Sequence, residues 1–211
     1  MPKREHINLE SLPGGCIFYA PLTQNDLTEH VSGANLIMSN GIMTWDGQQD
    51  SYAFKLNVSS NGVCVAYWNA DFSDKINLNV SQEYTIFAKC MADGSSLNFP
   101  FLVGLGNYNQ NNSYKPHINV NTSNCINMWK NTAFIRYSNN SLYYIDRNTY
   151  EYNNSSHMSN PANWNNSNLC AKRVCLLFRR FSEDTSNTIT SYIKDVMIFN
   201  RALTAAEVAE L

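Results

Sequence analysis

The chain has 211 residues, of which 44% are hydrophobic and 12% aromatic, enough for one sizeable core and against intrinsic disorder. Lys, Arg, Asp and Glu together make up 15%, and the formal net charge is −2, which excludes nucleic acid as the main partner and a polybasic membrane anchor. No apolar run approaches the roughly 20 residues that span a bilayer, so no membrane insertion is expected.

Asparagine is the outlier: 31 residues, about one in seven. It is poor in helix interiors and good in turns, so composition leans toward an all-β chain with many loops. Residues 1–13 are polar and read as an arm, or as a segment packed along an edge. The opening MPKREHINLE lacks an apolar stretch, so no secretory signal is expected. Short apolar and β-branched runs then alternate with turn residues. They predict strands at Cys16–Pro21, Ile42–Trp45, Tyr52–Leu56, Val63–Trp68, Tyr84–Met91 and Phe99–Leu105. Further strands are predicted at His117–Val120, Cys125–Trp129, Ala133–Tyr137, Leu142–Ile145, Val174–Phe181 and Ile189–Asn200. Asn107–Pro116 and Thr149–Asn168 are too polar for strands and read as long loops, which are often functional. The one helix is expected at the end: Thr204 can cap it, and Glu207 three residues on completes a capping box. Val208 and Leu211 would then share a face that covers a sheet. No linker or internal repeat interrupts the chain.

Six cysteines, Cys16, Cys64, Cys90, Cys125, Cys170 and Cys175, mostly lie inside apolar runs such as GCIFYA and RVCLLF. They read as small buried hydrophobes with free thiols, in a chain folded in a reducing compartment. No C-x-x-C pair suggests zinc.

The closing segment Ile193-Lys-Asp-Val-Met-Ile-Phe-Asn-Arg-Ala-Leu-Thr-Ala-Ala-Glu-Val-Ala-Glu-Leu211 resembles the end of laminin-G-like domains, of the concanavalin A-like lectin/glucanase superfamily. CIFYAPL (Cys16–Leu22), the turn segment Trp45–Tyr52 and EYTIFAKC (Glu83–Cys90) resemble earlier family strands in the right order, although Ala88 stands where a Trp is common. The resemblance spans residues 16–211. It implies an all-β, two-sheet antiparallel jelly-roll sandwich with a short C-terminal helix, taken as one domain over residues 14–211. Arg201 and Glu207 are expected to maintain the fold, with Arg201 holding the strand-to-helix corner through carbonyls. Asp46 and Asp50 flank a turn at Gly47. They are read first as turn residues, and second as a calcium rim of the kind some relatives carry.

Catalysis is not expected. Glycanases of this superfamily place paired carboxylates on one strand as E-x-D-x-E or E-x-D-x-x-E, and no such spacing occurs here. The four histidines form no H-x-x-x-H pair, and Gly104-Leu-Gly106 leads into a polar loop rather than a helix. Sugar binding needs flat apolar faces and amides or carboxylates. The two long loops concentrate these, so Tyr108, Asn109, Tyr114, Tyr150, Tyr152 and Trp164 are the candidate glycan-binding residues. The strand aromatics Tyr67, Trp68, Trp129, Tyr143 and Tyr144 are alternative platforms, although Trp45, Trp68 and Trp129 read rather as core. An adhesion-type fold without a secretion signal, rich in asparagine and thiols, is natural for a virion-associated protein such as a capsid, fibre or tail decoration. It would fold in a host cytoplasm, assemble as an oligomer, and meet glycans or other virion proteins. The alternative is a bacterial carbohydrate-binding or adhesion domain at the cell surface or secreted.

Overall fold

A computed structural model describes residues 9–24, 26–38, 42–55, 63–71, 74–76, 82–93, 101–105, 117–119, 128–138, 141–146, 148–151, 173–178 and 190–211. After a single 3-10 turn at Leu9–Ser11, the strands are β1 (Cys16–Ala20), β2 (Leu36–Met38), β3 (Ile42–Asp46), β4 (Ser51–Lys55), β5 (Val63–Asn69), β6 (Tyr84–Asp93) and β7 (Phe101–Leu105). There follow β8 (His117–Asn119), β9 (Lys130–Arg136), β10 (Ser141–Ile145), β11 (Asn148–Glu151), β12 (Arg173–Phe178) and β13 (Thr190–Phe199), then the helix α1 (Ala205–Glu210).

All pairings are antiparallel and make two sheets. One runs β2-β5-β12-β7-β8. The other, eight-stranded, runs β11-β10-β9-β6-β13-β4-β3, with β1 also on β13. Strand β13 is long enough to serve two partners along one edge: Thr190–Ile193 pair with β4, and Val196–Phe199 pair with β1.

The sandwich follows from alternation. Inward residues Phe18, Ile86, Ala88, Phe134, Val196 and Ile198 of the large sheet meet Ala66, Trp68, Val103, Val174 and Leu176 of the small one in a single cluster. Trp68 is fully buried, edge-on to Phe18 with ring centroids 5.3 Å apart, and its indole N–H donates to the Leu27 carbonyl at 2.9 Å. The expected core role of Trp68 therefore holds. The buried Glu29 carboxylate fastens the connection after β1. It accepts from the amides of Tyr19 (3.1 Å), Val31 (2.6 Å) and Ser32 (2.6 Å), and from the Ser32 hydroxyl (2.5 Å).

The outer face of the large sheet carries a second cluster: Tyr19, Phe87, Ala133, Ile135, Tyr144, Met197 and Phe199, roofed by Leu12, Leu203 and Val208. The helix is capped as the sequence predicts, with the Thr204 hydroxyl accepting from the Glu207 amide and the Glu207 carboxylate accepting from the Thr204 amide. Arg201 holds the corner. It donates to Gly14 O at 2.6 Å and Ala202 O at 3.3 Å, and forks onto Glu207 at 2.6 and 3.1 Å. Hydrogen bonding from Arg201, then from the Thr204 amide, holds the Glu207 carboxyl down at about 2. Buried Thr85 ties the same corner to β6, donating to Arg201 O and accepting from Leu203 N. Gly15 is required here: its φ is +89°, and a Cβ would sit 2.7 Å from Asn200 Oδ1.

Three expectations are corrected. Thr149–Glu151, read as the start of a loop, lie in β11, because β10 offers them a ladder from Leu142↔Glu151 to Ile145↔Asn148. Met128 and Trp129, read as the end of a strand, precede β9, which begins at Lys130. Trp45 and Trp129 are half-buried rather than core. Residues 1–8 and 107–116 lie outside the described residues.

Candidate functional site

The outer face of the large sheet changes character away from the helix. Register places Lys194 opposite Lys89, and Lys89 opposite Asn131. Asn131 in turn exchanges bonds with Asp146: the Asp146 amide donates to Asn131 O at 2.9 Å, and the Asn131 amide donates to Asp146 Oδ1 at 3.0 Å. On the other side, one step past the Ile193↔Tyr52 pair, Ser51 stands beside Lys194, and Asp46 pairs with Ser51. A polar row, Asp46–Ser51–Lys194–Lys89–Asn131–Asp146, thus crosses five strands and ends in the turn after β10. On one side of it lies the cluster under the helix. On the other lie Ala53, Met91 and Tyr192, with Trp129 packed against them.

A β-bulge adds a carboxylate to this row. Between Lys194↔Lys89 and Met197↔Phe87 the β13 strand has an extra residue, and Asp195 adopts φ +53°. The bulge allows two consecutive residues, Lys194 and Asp195, to serve the same face. Asp is among the few L-residues that enter this region readily. The Asp195 amide bonds to Pro21 O at 3.2 Å. Its carboxylate lies 3.4 Å from Lys89 Nζ and accepts from the Tyr19 hydroxyl at 3.5 Å. Tyr19 also meets the His30 ring edge-on, and His30 pairs with Asp26 at 2.6 Å.

Trp129 bounds the site. Lys194 Nζ sits 4.1 Å from the indole centroid, a cation–π contact that lets Lys194 remain only 8% exposed. Lys130 pairs with Asp146 at the rim, where the Asp146 side chain is 37% exposed. The arrangement offers ammonium donors and carboxylate acceptors side by side next to an indole. Such pairs suit hydroxyls, which donate and accept at once, and hydrogen bonds to charged groups are stronger than neutral ones, about 1.5–3 kcal/mol.

Of the residues named from sequence, Asp46 lies at one end of the row, but its Oδ1 accepts from the amides of Gln48 (2.9 Å) and Gln49 (3.3 Å). Asp50 completes that turn at φ +49°. Among the described residues no three His, Cys, Asp or Glu side chains gather as metal ligands. Tyr150 lies in β11, opposite Tyr143 in the ladder. Tyr108, Asn109, Tyr114, Tyr152 and Trp164 lie outside the described residues. Sequence reasoning missed Lys89, Asn131, Lys194 and Asp195. One signal was available: two adjacent charges, Lys194-Asp195, inside an otherwise apolar strand, where simple alternation lets only one face outward.

No family model and no curated protein matches this sequence. Solved structures do. The binding domain of botulinum neurotoxin serotype C1 superposes with a TM-score of 0.60 at 14% identity, over 93% of this chain and 51% of that one. A botulinum neurotoxin DC binding domain in complex with rat synaptotagmin II gives 0.60 at 12%, over 93% and 50%. A Trypanosoma rangeli sialidase in complex with difluorosialic acid gives 0.60 at 11%, over 93% and 32%. The chain thus spans about half the length of the toxin domains it resembles. At these identities the likeness establishes the β-sandwich fold.

Proposed function

We propose that the chain is a non-catalytic glycan-recognition module whose binding surface is the polar row beside Trp129. The observation that carries this reading is the buried bulge at Asp195, where a carboxylate, an ammonium and a phenol converge on an outer sheet face instead of the core. The bulge turns a charged residue that simple alternation would send into the core onto the outer face. The fold neighbours, binding domains and a sialic acid complex, support a binding role for such a sandwich. The asparagine-rich, weakly charged composition fits a module displayed outside a particle, and we propose that it sits on a virion, in contact with glycans or neighbouring virion proteins. A bacterial surface or secreted adhesion domain is the alternative.

The test is a glycan array with the purified chain, with calcium and with EDTA, alongside light scattering for mass. Loss of binding on Trp129→Ala or Lys89→Ala locates the site on the sheet face. Loss only on Tyr114→Ala or Trp164→Ala moves it to the loops, and sensitivity to EDTA brings Asp46 and Asp50 into it. Absence of binding together with a stable oligomer refutes recognition and leaves an assembly role.

A further inference from the structure

Two of the three ammonium groups at the row are matched by carboxylates, and the third is nearly buried under an indole. Lys89 faces Asp195 at 3.4 Å, Lys130 faces Asp146, and Lys194 lies on the Trp129 ring at 4.1 Å. We infer that the site takes a neutral glycan and discriminates against sialylated or uronate-bearing ones. This rests on the glycan-recognition reading above and adds the class of sugar.

A ligand carboxylate would have to take Lys89 or Lys130 from its carboxylate, or draw the nearly buried Lys194 off the Trp129 ring. Beside Lys89 or Lys130 it would lie next to Asp195 or Asp146, two like charges in a half-buried setting where screening is weak. The penalty is greatest at Asp195, which is only 6% exposed. A hydroxyl pair faces no such conflict. One hydroxyl accepts from Lys89 and donates to Asp195, its neighbour reaches the Asn131 side chain or Asp146, and the net charge of the site is unchanged. The alternation of donor and acceptor along Lys89, Asp195, Asn131 and Asp146 suits vicinal hydroxyls, with Trp129 beside the C–H surface. Specificity here is a difference of affinities produced by a repulsive element, the two carboxylates.

The test compares one neutral oligosaccharide core with its sialylated and uronate-bearing forms, on the full chain, by calorimetry at about 50 and about 500 mM NaCl. The neutral form is expected to bind, each acidic form to bind at least roughly tenfold more weakly, and salt to change the neutral affinity less than about threefold. Asp195→Asn keeps a side chain that tolerates positive φ and removes one repulsive charge, so the preference is expected to shift toward the acidic forms by about tenfold. Asp146→Asn, at the exposed rim, is expected to shift it in the same direction and covers the case in which the bulge variant fails to fold. Tighter binding of an acidic form to the unaltered chain, lost on Trp129→Ala, overturns the neutral-sugar inference while the site stands. Binding of none of the three forms, nor of any array glycan, overturns the recognition reading and this inference with it.

Discussion

Replacing Arg201 by alanine tests whether the strand-to-helix corner is held as described. Three contacts disappear; the donation to Ala202 O at 3.3 Å is the longest and weakest, and the two others set the magnitude. The forked contact with Glu207 joins side chains 36% and 31% exposed, so it is screened, and a value of about 1 kcal/mol is the upper end for such a pair. The donation to Gly14 O at 2.6 Å is charge-assisted and adds about 1 kcal/mol net. Arg201→Ala should therefore lower stability by about 2 kcal/mol and Tm by about 4–8 °C. Because Glu207 has its folded value depressed from 4.5 to about 2, its stabilisation is fully present above about 4.5 and is lost as pH falls through 2. The gap between native chain and variant should accordingly be about 2 kcal/mol at neutral pH and narrow to about 1 kcal/mol at the acid end. Urea unfolding followed by tryptophan fluorescence, in steps from about pH 7 to about pH 2.5, reads both quantities. A gap below about 0.5 kcal/mol at neutral pH, or one that stays constant across the acid window, would refute the reasoning.

Three further outcomes are expected. Glu29→Gln turns one acceptor oxygen into a donor facing amides, and should cost about 2–3 kcal/mol in the same urea assay. Burial, with a smaller push from the Glu29 charge, raises the Cys16 thiol from 9.0 to about 11, so its alkylation at mildly alkaline pH, followed by peptide mapping, should be roughly a hundredfold slower than that of an unperturbed thiol. The Ser51 hydroxyl is buried without a hydrogen-bond partner, so Ser51→Ala should leave stability unchanged or raise it by about 1 kcal/mol in a thermal melt; a loss would mean that the hydroxyl is used.

Local signals made much of the fold legible. Thr204 with Glu207 announced the helix cap and the apolar runs most of the strands, because each depends on neighbours in sequence. Arg201 at the corner followed instead from the resemblance of the closing segment, since its bond to Gly14 O joins distant parts of the chain. Two strands escaped notice for a tertiary reason. Leu36–Met38 is only three residues long, with Ile37 and Met38 exposed, and it becomes a strand by pairing with β5. Asn148–Glu151 has weak strand propensity and is recruited by the open edge of β10. The site was less legible still. Lys89, Asn131 and Lys194 belong to three strands and Asp146 to the turn after a fourth, and only register and a one-residue bulge bring them into line. Trp129 resembles any apolar strand residue until the start of β9 at Lys130 leaves it at the margin.

The position of β13 has a kinetic consequence. It lies inside the large sheet, yet its partners include Cys16–Ala20, far earlier in the chain. Loop-closure entropy must be overcome before that pairing returns any energy, so folding is expected on the slow, millisecond-to-second scale of high-contact-order β proteins. During synthesis, β1, β4 and the free side of β6 must wait for residues 190–199 to emerge. Until then they present unpaired edges of the kind that seed aggregation. Yield of soluble protein should therefore respond more to growth temperature and chaperone supply than to the stability of the finished sandwich.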